Sequence, residues 1–95
     1  MALWKTVEHL EDHYDLHRRE FPGASIEVYD ASAQETLAVG ARFAYRDRIT
    51  GLRRLGCYHR ETARMVVLDL DGFIVAHFRC AEDYVADLPD CTYRS

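Results

Sequence analysis

The segment 64–79 constrains the fold of this chain more than any other part of the sequence. It holds two apolar runs separated by Asp71-Gly72, and Asp-Gly between apolar runs is typical of a two-residue hairpin turn whose central residues both have positive φ. We therefore predict strands near 64–70 and 73–79. Both faces of this hairpin are mostly apolar, whereas a sheet with one solvated face alternates more cleanly. Each face must therefore be covered by another part of the molecule.

An N-terminal helix is the first candidate cover. Residues at spacings of three and four form one stripe, which predicts a helix from about residue 2 to 20, ended by Pro22-Gly23. The stripe consists of Leu3, Val7, Leu10, Tyr14, His17 and Phe21. The opposite face carries Glu8, Glu11, Asp12, Asp15 and Arg19. One helix covers one face only, so we expect a second helix over about 81–88 on the other; another subunit or partner is the alternative cover.

Two more strands and one ambiguous segment complete the predicted elements. Residues 25–30 alternate between apolar and polar side chains and predict a short strand. Residues 36–46 alternate over a longer stretch and predict another. Residues 47–63 fit either a short helix closed by Gly56 or two strands joined by a turn at Thr50-Gly51.

These elements predict a single compact α+β domain over residues 1–95. An N-terminal helix packs on an antiparallel sheet of three to five strands with a central Asp-Gly hairpin, and a short C-terminal helix follows. Within the hairpin, the predicted register pairs Val66 with His77 and Leu68 with Val75. A chain of 95 residues with 48% hydrophobic residues has material for one core.

The sequence favours a cytoplasmic protein without a membrane partner. Its opening residues contain no apolar run of signal-peptide length, and no stretch approaches the roughly 18 apolar residues of a membrane span. The three cysteines, Cys57, Cys80 and Cys91, are widely spaced and form no Cys-x-x-Cys pair. This pattern predicts reduced thiols rather than a disulfide framework or a closed zinc site.

Charge is unevenly distributed along the chain. Residues 42–64, here called the arginine-rich segment, contain seven arginines and two acids, whereas the sequence on either side is acidic. Guanidinium groups bind phosphate or carboxylate, and interleaved tyrosines can stack on bases or anchor a protein interface. The sequence pI of about 5.7 argues against a dedicated nucleic-acid binder. Pairing of these arginines with the chain's own carboxylates is the structural alternative.

Three smaller groups of residues are candidates for chemistry. His9, His13 and His17 repeat every fourth residue and could share a metal, although structural roles are the commoner outcome for such histidines. Cys57 and His59 would share one face of a strand, but no third orienting group is identifiable. The Asp69 and Asp71 pair resembles the acids of magnesium sites, and the turn itself already accounts for Asp71. None of these groups predicts an enzyme or a cofactor.

Charge segregation without a catalytic grouping favours a small non-catalytic regulator, adaptor or inhibitor. We expect it to dock a macromolecular protein partner, which could belong to a nucleic-acid-handling complex. The alternatives are a nucleic-acid-binding module that uses residues 42–64 and a histidine-based metal-binding protein, and a homodimer is compatible with each. The predicted contact residues are Arg42, Arg46, Arg48, Arg53, Arg54, Arg60, Tyr45, Tyr58, Glu8, Glu11, Asp12 and Asp15.

Overall fold

The computed structural model describes residues 2–94 and shows an α+β fold with one antiparallel sheet. The four strands follow one another in the order β1-β2-β3-β4, each antiparallel to its neighbour. The elements are α1 (Val7–His17), a 3-10 turn (Arg18–Glu20), α2 (Ile26–Val39), β1 (Ala41–Arg46), β2 (Arg53–His59), β3 (Arg64–Leu68), β4 (Ile74–Arg79) and α3 (Glu82–Ala86). No helix in this described part of the chain has both the length and the apolar character needed to cross a bilayer.

The hairpin formed by β3 and β4 is present, but its turn is wider than predicted. Val66 pairs with His77 as expected, whereas Leu68 pairs with Ile74 rather than Val75 because the register shifts next to Leu68. The strands therefore end before Asp69 and resume at Ile74. Only Gly72 has positive φ in this turn, so the expectation of two positive φ values was wrong.

The side chain of Asp69 explains the wider turn. One carboxylate oxygen accepts hydrogen bonds from the backbone N–H groups of Asp71 and Phe73, both at 3.0 Å. The Gly72 N–H donates to the carbonyl of Asp69 at 3.0 Å. An aspartate that satisfies two turn amides stabilises a five-residue connection in place of a two-residue turn.

The N-terminal helix is shorter than the predicted 2–20. It begins at Val7 because the Thr6 hydroxyl accepts a hydrogen bond from the His9 N–H at 3.0 Å and caps the helix. The preceding residues are extended and lie along the outer edge of β4. The Ile74 N–H donates to the Leu3 carbonyl, and the Ile74 carbonyl accepts from the Lys5 N–H, each at 2.8 Å. Leu3, assigned to the buried stripe from its spacing, is 66% exposed.

The predicted strand over 25–30 is wrong, because this segment begins helix α2. The Ser25 hydroxyl accepts from the Val28 N–H at 3.2 Å and caps the helix. Tyr29, Ala33 and Thr36 then form its buried face at helical spacing. The predicted strand over 36–46 is correct only for its second half, since α2 continues to Val39 before β1 begins.

Each face of the sheet has its own cover, as the hairpin requires. Helices α1 and α2 pack on one face, against a core that includes Cys57, Val66 and Ile74. The predicted C-terminal helix is confirmed as α3, and Val85 and Leu88 are buried with the residues of the other face. That second core is completed by Phe43, Tyr45, Tyr58, Met65 and Val67.

The ambiguous segment 47–63 resolves as the two-strand alternative. Residues 47–52 form a turn in which the Asp47 carboxylate accepts from the N–H groups of Ile49 and Thr50, both at 2.8 Å. Gly56 is an interior residue of β2 instead of a helix end, and it pairs with Phe43. A Cβ at Gly56 would overlap the Phe43 ring, so the glycine makes room for that ring.

A buried polar pair links α2 to the sheet. His77 is fully buried and its Nδ1 lies 2.8 Å from the Met65 carbonyl, which can only accept, so Nδ1 carries the proton. The neutral ring then accepts at Nε2 from the Ser32 hydroxyl at 3.0 Å. The Tyr29 hydroxyl donates to the His77 carbonyl, so two side chains of α2 bond to this one residue.

Acid should destabilise the protein through His77. Burial lowers the pKa of His77 from 6.5 to about 4, and the positive charges of Arg64 and His17 lower it further. The hydrogen bond to Met65 and the charge of Glu20 raise this pKa, but their effect is weaker than that of burial. Between pH 6.5 and 4 the unfolded chain therefore binds a proton at residue 77 more readily than the folded protein does. The free energy of unfolding falls as pH drops through this range, by roughly 3 kcal/mol at most. Urea unfolding at several pH values checks the loss. An NMR titration in which native His77 protonates near pH 6.5 would contradict it.

Candidate docking surface

The fold places the arginine-rich segment at both ends of the sheet. Arg46 and Arg53 are directly opposite each other where β1 and β2 meet the 47–52 turn, and Arg54 follows in β2. Arg42 lies towards the far end of β1, and Arg60 follows the far end of β2. The predicted set of arginines therefore does not form one continuous surface.

Two predicted contact residues lie inside the protein. Tyr45 and Tyr58 are only 5% and 2% exposed, and both belong to the core beneath α3. The Tyr58 hydroxyl donates to the Cys80 carbonyl at 2.9 Å, and burial raises the pKa of Tyr45 and Tyr58. In this position neither ring can stack on a base or anchor a partner.

The two hairpin turns lie at the same end of the sheet and border an open groove of about 500 Å³. We call this the turn groove. The 47–52 and 69–73 turns meet there because both hairpins reverse direction at this end of the antiparallel sheet. Its lining includes Lys5, Arg46, Leu52, Arg53, Arg54 and Leu70.

Internal contacts engage some of the charges in the turn groove. Lys5 Nζ lies 2.8 Å from Asp69, and this hydrogen bond lowers the pKa of the Asp69 carboxyl. Arg46 donates to Asp90 at 3.2 Å and to the Gly51 carbonyl at 2.7 Å. Of the two carboxylates that line the groove, Asp69 is therefore already paired with Lys5, and Asp71 makes no ion pair among the described residues.

Arg53 and Arg54 are the cations available to a ligand. Within residues 2–94, neither guanidinium makes a hydrogen bond or an ion pair. Arg53 is exposed and Arg54 is half-buried, and both line the turn groove. A guanidinium fork without internal partners is free to bind a carboxylate bidentately.

Exposed apolar side chains lie beside these cations. Leu52 is 53% exposed and Leu70 is 64% exposed, and both line the turn groove. Ile49, in the same turn as Leu52, is 95% exposed. Apolar side chains next to unpaired arginines are typical of the centre of a protein interface.

The remaining predicted arginines lie outside the turn groove and contact other parts of the protein. Arg48 donates to the Asp87 carbonyl at 2.6 Å, and Arg60 lies 3.8 Å from Glu82. Arg42 is exposed and makes one long hydrogen bond, 3.5 Å to the Leu37 carbonyl.

The predicted acidic surface is separate from the turn groove. Its residues are exposed on α1, and none of them lines the groove. They are Glu8, Glu11, Asp12 and Asp15.

The histidines of α1 stack in a row. His13 lies between His9 and His17, with ring centroids 6.5 and 5.8 Å apart. Burial lowers the pKa of His13, and its two histidine neighbours lower it further. His9 bonds the Thr6 hydroxyl and His17 bonds Glu20, each at 2.7 Å. No three His, Cys, Asp or Glu side chains among residues 2–94 are grouped to hold a metal ion.

Cys57 is buried and its thiol donates to the Thr36 carbonyl at 3.2 Å. Burial raises its pKa, which disfavours the thiolate that a nucleophile needs. His59, the other member of the candidate pair, instead bonds the Thr62 hydroxyl through Nδ1 at 2.8 Å.

Comparison with protein-family models, with curated proteins and with solved structures gives no match to this chain. The geometry of the described residues therefore carries the functional interpretation.

Sequence reasoning missed Lys5, Leu52 and Leu70 as residues of this surface. Leu70 was assigned to a strand because the turn was predicted at Asp71-Gly72 alone. The spacing pattern puts Lys5 inside a helix, although Thr6 directly before Val7 of the periodic stripe is a signal for a helix cap, with Lys5 outside the helix.

Substitution of Asp69 tests whether its carboxylate organises one wall of the turn groove. Asp69→Ala removes the acceptor of two turn amides and the partner of Lys5, so we expect a loss of about 2 kcal/mol in the free energy of unfolding. Asp71→Ala is the matched control, because Asp71 is exposed and its carboxylate accepts no hydrogen bond among the described residues. Urea denaturation measures both variants. Equal effects of the two substitutions would show that Asp69 has no special role.

Proposed function

We propose that this chain is a non-catalytic binding protein that docks an acidic, amphipathic segment of a protein partner in the turn groove. The observation that carries the proposal is the combination, in one groove, of two arginines without internal partners and two exposed leucines. The arginines would bind carboxylates of the partner, and the leucines would bury its apolar side chains. Binding of this kind fits a regulator, adaptor or inhibitor acting in the cytoplasm.

Charge complementarity favours an acidic occupant over a basic one. Four cationic side chains line the turn groove against the carboxylates of Asp69 and Asp71, and Asp69 is already paired with Lys5. Electrostatic complementarity speeds association and selects the partner, while desolvation of the apolar residues supplies affinity.

A protein segment fits the turn groove better than a nucleic acid does. Phosphate-backbone recognition has no use for Leu52 and Leu70, and the tyrosines that would have stacked on bases are buried. No comparable observation favours a metal-binding function for the histidines of α1.

The test begins with the partner and ends with its affinity. The tagged protein is used to capture partners from its native cytosol after nuclease treatment, and the binding segment of a captured protein is mapped by cross-linking. Affinity is then measured with the purified partner. The Arg53→Glu and Arg54→Glu double variant should weaken binding at least tenfold, because each carboxylate contact becomes a repulsion. Replacing acidic residues of the mapped segment by lysine should restore part of that loss.

Arg42→Glu is the matched control for charge. It makes the same change at an exposed arginine outside the turn groove, and affinity should stay within about twofold. Leu52→Ala with Leu70→Ala should also weaken binding about tenfold. The proposal is wrong if Arg42→Glu is as damaging as the double variant, or if every captured protein is lost after nuclease treatment. It is also wrong if sedimentation shows that the groove binds a second copy of this chain.

A further inference from the structure

A second cleft lies at the opposite end of β3 and β4 from the turn groove, on the face covered by the helices. Arg64 and Arg79 form part of its wall, the loop 21–24 another, and Ser32 and Glu35 of α2 a third. Its volume is about 370 Å³, within the range of small-molecule sites. We call it the helix-side cleft.

The two arginines of this cleft are an unfavourable pair by themselves. Arg64 and Arg79 are directly opposite each other on neighbouring strands, where like charges destabilise a sheet. Glu20 is the nearest candidate to neutralise them, but one of its carboxylate oxygens accepts from the Arg79 backbone N–H at 2.8 Å. The other lies 2.7 Å from His17 Nδ1. The carboxylate of Glu20 therefore bonds groups other than the two guanidiniums, and the Arg79 guanidinium makes one long hydrogen bond, 3.5 Å, to the Glu20 backbone carbonyl.

Arg64 has an unsatisfied guanidinium. Its Nε is buried without a hydrogen-bond partner, and the group lies over the Phe21 ring at 5.5 Å from the centroid. Within residues 2–94 it makes no ion pair. A buried donor without an acceptor is unfavourable. Only Nε of this group is buried, so a ligand in the open cleft would reach the guanidinium through its outer nitrogens, which have no hydrogen-bond partner among the described residues.

The α2 side of the cleft offers acceptors. The Ser32 hydroxyl proton is directed to His77 Nε2, so the Ser32 oxygen retains lone pairs for another donor. The Glu35 carboxylate is exposed and has no hydrogen-bond partner among the described residues. The cleft therefore combines a cationic pair with acceptors on a facing element.

We propose that the helix-side cleft binds a small phosphate ester. The phosphate lies between Arg64 and Arg79, whose planar forks match phosphate oxygens, and hydroxyl or amino groups of the same molecule donate to Ser32 and Glu35. A cleft of about 370 Å³ suits a small molecule rather than a long polyanion. This site is separate from the turn groove and does not depend on its function.

The test uses ribose 5-phosphate, inorganic phosphate and free ribose as probes. NMR of the 15N-labelled protein follows the Arg64 Nε–H resonance and the backbone amides of residues 23, 24 and 32 during titration. We expect saturable shifts with the ester, weaker binding of inorganic phosphate and no binding of free ribose. Arg64→Gln should weaken binding of the ester at least tenfold, and Arg64→Lys should weaken it less because the charge remains. Arg42→Gln, which changes an arginine outside the cleft, should leave the affinity unchanged.

Several results would overturn this proposal. One is the absence of saturable shifts with the phosphate ester, and another is equal affinity in Arg64→Gln and the unchanged protein. Stronger Arg64-dependent binding of a single-stranded oligoribonucleotide than of the ester would assign the cleft to nucleic acid instead. Thermal unfolding provides the folding control, since removal of an unsatisfied guanidinium should leave Tm unchanged or raise it. A large drop in Tm for both Arg64 variants would assign Arg64 a structural role and contradict the proposal.

Discussion

Burial of both faces of the β3–β4 hairpin is the constraint on which the rest of this structure depends. Neither strand can present an apolar face to water, so one cover comes from the N-terminal half of the chain and the other from its C-terminal end. The same terminal segments also occupy the two outer edges of the sheet. Residues 3–5 bond Ile74 of β4, while the C-terminal residues Pro89 and Thr92 bond Arg46 and Ala44 of β1. Between these two edges, the 47–52 and 69–73 turns border the turn groove.

The sequence predicted the α+β class, the hairpin and the C-terminal helix, because hairpin periodicity is a strong local signal, but it did not predict helix α2. Apolar runs around an Asp-Gly pair indicate both strands. Because both faces of this hairpin are apolar, each needs a cover, and this requirement predicts the C-terminal helix. The failures were of another kind. Residues 25–30 alternate over too short a window to distinguish a strand from a helix turn, and Ser25 acts as a cap that alternation cannot show. Likewise, the spacing of Leu3 suggested burial although Thr6 begins the helix later.

The candidate site was predictable only in part. Composition identified the arginine-rich segment, but burial of Tyr45 and Tyr58 depends on the C-terminal cover, which brings distant residues onto β1 and β2. Which arginines remain without a partner is likewise a tertiary property. Arg48 bonds the Asp87 carbonyl and Arg60 pairs with Glu82, and each partner is distant in sequence from its arginine. The sequence pattern contains no signal for these pairings, nor for the cross-strand approach of Arg64 to Arg79.

The most direct test that both faces of the hairpin are covered compares the free energies of unfolding of two valine-to-alanine variants. Val85 is buried in α3 against the second face of the sheet, whereas Val39 is largely exposed at the end of α2. Val85→Ala should cost about 2 kcal/mol, because it leaves a cavity in the second core, while Val39→Ala should change stability by less than about 0.5 kcal/mol. Similar small effects of the two substitutions would mean that α3 does not cover this face, which would contradict the account.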